Sequence, residues 1–204
     1  MKIYCRHPFK TNEKVTIPPG FGCHPGHPGS KDLVFPGITF GTPVYAMESG
    51  VIADVRTNRP HCPTPDCPQY ANNVVIRGQD GFFTEYNHMA RTTKVDLRVD
   101  PRVDPRVGPG GRPWRWNRQL LKIGDSITRG QLIGFVDDSG YTTGPHLHVG
   151  RYTPGDDKTW WSRPTCDWMI QGVDSFLQFP PLDCRPMPRR VVHGYYIRNS
   201  PFYM

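Results

Sequence analysis

A His-x-His pair is the feature of this sequence best suited to chemistry. The run Gly144-Pro-His-Leu-His148 places His146 and His148 two residues apart. Alternate residues of a β-strand point to the same face, so both imidazoles would share one face and Leu147 would enter the other. Two imidazoles about 6–7 Å apart at Cα can serve one metal site. The alternative is two surface histidines on an edge strand.

A second group of potential ligands lies in the run His27-Pro-Gly-Ser-Lys-Asp32. A histidine nitrogen and a carboxylate oxygen are both ordinary zinc ligands. With one imidazole of the His-x-His pair they would form a three-residue set with an open fourth position, which is typical of catalytic zinc. His24 precedes His27 in a repeated His-Pro-Gly unit and is a rival first ligand.

His88 ends a predicted strand at Tyr86-Asn-His88. A histidine that does not bind the metal could hold a proton there or hydrogen-bond the reacting group. Tyr86 lies two residues earlier and is expected to share its face. The Tyr86 hydroxyl is therefore a possible substrate or oxyanion contact, with simple packing as the alternative.

Short strands are predicted to carry these residues. The chain has 204 residues with 23 Pro and 21 Gly, which is unfavourable for a helical bundle, and its aromatic content is too high for simple disorder. Short apolar runs between turn residues indicate antiparallel strands. They are expected at 41–46 and 50–55, joined by a turn at 48–50, at 74–76 and 82–88 as a hairpin, and at 131–136 and 146–152. One helix is expected over 167–179.

Two segments interrupt this pattern and are expected to be loops. Residues 57–70 are rich in Pro and Cys, and the tandem Val-Asp-Pro-Arg units within 92–118 exclude a helix because Pro recurs every four residues. The six cysteines permit three disulfides. Pairing between sequence neighbours is the simplest guess (Cys5 with Cys23, Cys62 with Cys67, Cys166 with Cys184), and six free thiols are the alternative.

The net charge of +7 suits a polyanionic partner, such as nucleic acid, anionic lipid or a phosphate-rich cell wall. Nucleic acid is disfavoured because the sequence has no zinc-finger spacing, aromatic RNA-binding signature or basic helix. No apolar run approaches the roughly 20 residues of a membrane span. The N-terminus lacks the apolar core of a secretory signal, so the chain either avoids that route or has lost a leader.

Three ordered sequence blocks resemble the lysostaphin-type (LytM-type) zinc endopeptidases of bacterial cell walls. Each block consists of two short motifs: Gly41-Thr-Pro-Val-Tyr-Ala46 with Gly50-Val-Ile52, then Asn72-Asn-Val-Val-Ile76 with Thr84-Glu-Tyr-Asn-His88, then Gly130-Gln-Leu-Ile-Gly134 with Thr143-Gly-Pro-His-Leu-His148. The resemblance covers about residues 20–152. It implies a mainly β, single-domain fold built on an antiparallel sheet with an open groove, loop insertions and, here, a short C-terminal helix.

The resemblance also implies the site. His27, Asp32 and His148 match the positions of the zinc ligands, one zinc per chain, and His88 and His146 match the catalytic pair beside the metal. The first motif departs from the family, because this chain has one residue more between His27 and Asp32. The insertions at 57–70 and 92–118 are not family features, and the segment after 152 is unmatched.

The expected function is a zinc-dependent endopeptidase that cuts peptidoglycan stems or cross-bridges. Peptidoglycan is the expected partner, a monomer is the expected state, and action at the cell wall outside the cytoplasm implies a phage-released or leader-removed protein. The expected divisions are a lead-in at 1–20, the peptidase core at 21–152 and an extension at 153–204. The alternatives are an inactive relative that binds wall peptide or a protein partner, and a structural phage component.

Overall fold

The computed structural model describes residues 1–59, 64–90, 121–156 and 158–173. These ranges contain ten short strands and two single-turn 3-10 helices, at Pro68–Tyr70 and Trp160–Ser162. In chain order the strands are β1 (Lys2–Tyr4), β2 (Ser30–Leu33), β3 (Pro43–Tyr45), β4 (Gly50–Arg56), β5 (Asn73–Gly78), β6 (Phe83–Asn87), β7 (Ser126–Ile127), β8 (Leu132–Phe135), β9 (Leu147–Tyr152) and β10 (Trp168–Ile170). The expectation of a mainly β fold is confirmed.

Antiparallel pairing builds the main sheet in the order β2-β9-β6-β5-β4-β7. Alternating side chains give it two different faces. One face supplies the main core, where Leu147, Val149, Tyr86 and Ile76 are buried. The other face presents His148 and Asn87, and part of it is covered by a smaller apolar cluster that includes Trp160. The second face is therefore available for a site.

The strands at 43–45 and 50–56 do not form a hairpin, which corrects the expected turn at 48–50. Strand β3 pairs with β8 in a separate two-stranded sheet, whereas β4 pairs with β5 and β7. The connection between β3 and β4 buries Ala46 and Met47 almost completely. This buried connection therefore links the two-stranded sheet to the main sheet.

The helix expected over 167–179 is also corrected where the structure describes it. Residues 168–170 form β10, which pairs in parallel with β1, and residues beyond 173 lie outside the described ranges. Trp168 is 2% exposed, packs edge-on against Tyr4 at 5.7 Å and donates its indole N–H to the Gly29 carbonyl at 3.1 Å. Tertiary packing of this one side chain outweighs the helical spacing of the sequence.

The first residues of the chain contribute to the main core. Tyr4, Phe9 and Val15 are each at most 2% exposed and pack with the residues of the main sheet. The divisions at 1–20, 21–152 and 153–204 remain predictions. The insertion at 92–118 lies outside the described residues, as do positions 60–63 of the Pro/Cys loop. In the described part of the chain, no helix has the length and apolar character required to cross a membrane.

A disulfide joins Cys23 to Cys166, which corrects the guess of sequence-neighbour pairs. The two cysteines are 143 residues apart in sequence. They meet because the loop before β2 packs against β10 and the segment before it. In this contact, the indole N–H of Trp168 donates to the Gly29 carbonyl. Cys5 and Cys67 are also disulfide-bonded. Disulfide bonding itself was therefore predicted correctly, and the pairing of Cys23 and Cys166 was not.

Replacing both cysteines, Cys23→Ser with Cys166→Ser, is expected to destabilise the fold. The crosslink closes a very long loop, so its loss should lower the free energy of unfolding by about 2–5 kcal/mol. Denaturant unfolding under non-reducing conditions measures this, with the bonds of Cys5 and Cys67 left intact as the internal control. An unchanged unfolding midpoint would contradict the expected contribution.

Candidate metal centre

Strand pairing brings Asp32 and His148 together. In the antiparallel ladder of β2 and β9 they are direct partners, so their side chains lie side by side on the same face of the sheet. The His148 Nδ1 and Asp32 Oδ1 atoms are 2.9 Å apart. Both residues lie on regular strands of the main sheet, so backbone hydrogen bonds fix the geometry of this pair.

His27 joins this pair from the loop that precedes β2. Its Nδ1–H donates to the Ser30 carbonyl at 3.1 Å, which leaves the lone pair on Nε2. His27 Nε2 lies 3.2 Å from His148 Nδ1 and 3.6 Å from Asp32 Oδ1. His27, carried by the loop before β2, is therefore the third potential ligand beside Asp32 and His148.

Gly29 makes the turn between His27 and β2 possible. Its φ of +72° is a conformation that side-chain-bearing residues rarely adopt. A Cβ at this position would lie 2.6 Å from Pro164 Cβ and 2.9 Å from the Arg151 carbonyl oxygen. A glycine is thus required by both the conformation and the close approach, and the turn that it makes returns His27 to the sheet.

His24 does not take part in the cluster. Its Nε2 lies 2.9 Å from the Gly20 carbonyl oxygen, and its Nδ1 accepts the Gly26 N–H at 3.1 Å. Both ring nitrogens are therefore used by the loop itself. The structure places His27, rather than His24, beside Asp32 and His148.

The spacing of the three donor atoms fits one small cation. Their separations are 2.9, 3.2 and 3.6 Å, between His148 Nδ1, Asp32 Oδ1 and His27 Nε2. Ligand bonds of 2.0–2.1 Å in a tetrahedral zinc site imply ligand-to-ligand distances of about 3.3 Å. Two imidazole nitrogens and a carboxylate oxygen are also the donor chemistry that zinc accepts. The residues present therefore fit zinc.

His146 and His88 flank this set. His146 Nε2 is 3.7 Å from Asp32 Oδ2, and the His88 and His146 rings are 4.7 Å apart between centroids. The His88 ring also lies 5.9 Å from that of His148. The structure thus brings together the five predicted residues His27, Asp32, His88, His146 and His148.

Tyr86 is not part of the cleft, which corrects its expected role. It is fully buried in the main core, where its hydroxyl accepts the Met47 N–H at 2.8 Å. Strand β6 ends at Asn87, and His88 has a φ of +58°. Strand alternation would place Tyr86 and His88 on one face, but the left-handed backbone at His88 breaks that alternation.

Backbone carbonyls set the orientation of the two flanking histidines. The Nδ1–H of His88 donates to the Ser139 carbonyl at 2.7 Å, and that of His146 donates to the Gly144 carbonyl at 2.9 Å. A neutral imidazole that donates from Nδ1 has its lone pair on Nε2. Both histidines therefore present Nε2 as a proton acceptor.

Ser139 is a positioning residue that was not predicted from the sequence. Its side-chain hydroxyl donates to the Met89 carbonyl at 2.9 Å and accepts the Asn72 N–H at 3.1 Å. These bonds hold the 139 carbonyl against His88. The only sequence signal is the Ser-Gly step at 139–140, which indicates a turn and no more.

The cluster shifts the pKa values of its members in opposite directions. Burial, followed by His146, lowers the pKa of His88 to about 4. Burial alone would raise the pKa of Asp32, but the His148 hydrogen bond and the nearby imidazoles lower it below its ordinary value. Burial lowers and the Asp32 hydrogen bond raises the pKa of His148, with a net increase. The carboxylate is therefore ionised at neutral pH, as a cation site requires.

Comparison with known proteins finds similar peptidases. No protein-family model matches the chain. It is 29% identical over 111 residues to the peptidoglycan DD-endopeptidase ShyA of Vibrio cholerae, covering 54% of this chain and 17% of that protein. It is 48% identical over 33 residues to the glycyl-glycine endopeptidase ALE-1 of Staphylococcus capitis, covering 16% and 9%. The chain thus spans about a sixth of ShyA and less of ALE-1.

Among solved structures, a zinc-containing peptidase from Vibrio cholerae aligns with a TM-score of 0.43 and 25% identity, covering 72% of this chain and 35% of that one. The catalytic domain of lysostaphin from Staphylococcus simulans aligns with a TM-score of 0.40 and 22% identity, covering 76% and 81%. The sequence motifs of this chain indicate a resemblance to the lysostaphin-type (LytM-type) peptidases. The similarity to the curated relatives confirms that resemblance.

Proposed function

We propose that this protein is a zinc-dependent endopeptidase that hydrolyses peptide bonds in peptidoglycan stems or cross-bridges. The observation that carries the proposal is the spacing of three donor atoms, on His27, Asp32 and His148, at 2.9–3.6 Å from one another. The names of the curated relatives, which describe peptidoglycan DD-endopeptidases and a glycyl-glycine endopeptidase, support the substrate class.

His27, Asp32 and His148 would hold one zinc ion per chain. When bound, zinc supplies a Lewis acid that polarises the scissile carbonyl and acidifies a water molecule. The protein's own part is to move protons. Carbonyl bonds use Nδ1 of His88 and His146 and leave Nε2 for proton transfer, and the two rings lie 4.7 Å apart next to Asp32, so one imidazole would accept the proton of the attacking water and a protonated imidazole would donate to the leaving amine.

Other features of the chain support action at a cell wall. A net charge of +7 favours association with anionic wall polymers, and disulfide bonding is typical of proteins in oxidising compartments. The proposal therefore includes an extracytoplasmic site of action, as a phage-type lysin or a wall-remodelling enzyme, whereas the monomeric state stays a prediction. An inactive wall-binding relative is disfavoured because all five histidine and aspartate side chains converge in one cleft.

Metal content tests the ligand assignment through two neighbouring histidines. The wild-type protein is expected to bind about one zinc per chain, as measured by elemental analysis after purification without added metal. His27→Ala removes a ligand and should weaken zinc binding at least about 100-fold. His24→Ala is the matched control and should retain the metal, because both His24 nitrogens bond the loop. Loss of zinc on changing His24 but not His27 would contradict the assignment.

A second variant separates metal binding from turnover. His146→Ala should retain about one zinc per chain, because the donor set grouped closely enough for one ion consists of His27, Asp32 and His148. Its kcat on purified peptidoglycan should fall by about 10²–10⁴-fold through loss of a proton-transfer group. Release of new amino termini measures the rate. If the variant were zinc-free, His146 would be a ligand instead.

A further inference from the structure

A row of side chains connects the candidate metal centre to a second cavity. Asp32, His148, Asn87 and Asn73 are successive cross-strand partners on β2, β9, β6 and β5. Directly opposite residues share a face of the sheet, so all four lie on the face that carries the site. Neighbouring strands are 4.7–4.9 Å apart, which places Asn73 about 10 Å from His148. The far end of the row opens into a cavity of about 270 Å³.

Hydrogen-bond acceptors form the floor of this cavity. Glu85 is 6% exposed and is bonded through both carboxylate oxygens: Asn73 Nδ2 donates to Oε1 at 3.1 Å, and the Tyr152 hydroxyl donates to Oε2 at 2.8 Å. The Oδ1 atoms of Asn73 and Asn87 are buried and have no hydrogen-bond partner in the described part of the chain. Asn73 is 5% exposed. Leaving a buried polar atom unpaired costs about 1–3 kcal/mol, so these oxygens are suited to a ligand donor.

Aromatic rings form the wall. Tyr152 packs edge-on against Trp160 at 5.0 Å, and Trp160 packs edge-on against Trp161 at 5.6 Å. Asp54 fixes this wall by accepting the Trp160 indole N–H at 3.3 Å and the Arg56 Nε–H at 2.9 Å. Trp161 remains 51% exposed at the rim. Asp54 thus holds Trp160 in place, and Trp161 is accessible to a ligand at the rim.

Gly150 is needed for this arrangement. A Cβ at Gly150 would lie 2.9 Å from the Tyr152 ring and 3.2 Å from Glu85 Oε2. Because Gly150 has no Cβ, the Tyr152 ring can lie against β9, and the Tyr152 hydroxyl can donate to the Glu85 carboxylate. Burial, together with Glu85, raises the pKa of Tyr152, so the hydroxyl keeps its proton and remains a donor at neutral pH. The Glu85 carboxylate is therefore held in one position facing the cavity.

We infer that this cavity binds a primary ammonium group of the peptide substrate, an inference that rests on the proposed peptidase function. An ammonium offers three N–H donors and no acceptor, which complements one carboxylate and two amide oxygens. Arg56 also lines the cavity, but its Nε–H donates to Asp54 at 2.9 Å and its guanidinium lies over the Trp161 ring at 5.8 Å, so this positive charge is already paired at the rim. The distance of about 10 Å from His148 corresponds to about three residues of extended peptide. The cavity thus selects substrates that carry an amine near the scissile bond, on a diamino-acid side chain or a chain terminus.

Direct binding tests the inference without requiring hydrolysis. The full chain carrying His146→Ala, loaded with zinc, is titrated calorimetrically with synthetic lysine-containing stem peptides. One peptide has both amines free, one is acetylated at the lysine side chain, and one at the N-terminus. Acetylation of the selected amine should weaken binding at least about tenfold, and the two arms identify which amine occupies the cavity. Equal affinity for all three peptides would overturn the inference.

Two substitutions locate the effect in this cavity. Glu85→Gln keeps the shape and removes the charge, so the preference for the free amine should fall below about threefold while zinc content stays near one per chain. Trp161→Ala, at an exposed rim position that does not endanger folding, should weaken the free-amine peptide by at least about threefold. Phe40→Ala is the matched control, because Phe40 is 48% exposed and does not line the cavity. An undiminished preference in Glu85→Gln, or an unchanged affinity of Trp161→Ala for the free-amine peptide, would overturn the inference.

The outcomes also separate this inference from the proposed function. If the wild-type protein failed to hydrolyse any peptidoglycan but the binding preference and its dependence on Glu85 were found, the cavity assignment would stand alone. If the protein hydrolysed peptidoglycan but bound peptides with free and acetylated amines equally well, the proposed peptidase function would be supported and the cavity assignment would be wrong.

Discussion

The antiparallel pairing of β2 with β9 is the constraint on which the site depends. This ladder makes Asp32 and His148 direct partners and holds their ligand atoms 2.9 Å apart. Strand β9 is flanked by β2 and β6, and the Asp32 N–H on the edge strand β2 donates to the Phe21 carbonyl at 3.0 Å, so moving either residue would require breaking backbone hydrogen bonds. The sheet therefore preorganises two of the three proposed ligands before any metal arrives.

The third proposed ligand depends on a loop, and the structure braces that loop from several directions. Cys166 anchors its beginning through Cys23, and the Trp168 indole N–H and the Arg151 backbone N–H both donate to the Gly29 carbonyl, at 3.1 and 2.8 Å. The disulfide and the indole contact come from the segment that follows the peptidase-like motifs, and the Arg151 contact comes from β9. The C-terminal part of the described chain thus supports the site, although it carries no family motif.

The same segment also extends the cleft. Trp160 and Trp161 enclose a cavity whose floor lies on the cross-strand row that contains His148. The two regions are on one face of one sheet, so a peptide lying across the strands could contact both at once. Specificity would then be set by residues outside the catalytic motifs, which is the usual way in which one scaffold serves different substrates.

The successes and failures of sequence analysis have identifiable physical causes. The strands around 52, 75, 85 and 149 were predictable because alternation and turn residues are local properties. Tyr86 was considered as a neighbour of His88 on one face, with packing as the alternative, and it packs in the core because the left-handed backbone at His88 breaks the alternation. The helix over 167–179 was expected from apolar spacing. Trp168 instead lies in a strand, because it packs on Tyr4 and hydrogen-bonds Gly29, which are distant in sequence.

The residues able to do chemistry could be predicted from the sequence, because motif spacing and strand periodicity depend only on chain neighbours. Three features could be seen only in the folded chain: His27 rather than His24 meets Asp32, Cys23 bonds Cys166, and Asn73, Glu85 and Trp160 surround one cavity. Each of these is a contact between segments far apart in the chain. Such contacts depend on strand register and loop conformation, neither of which a local sequence pattern specifies.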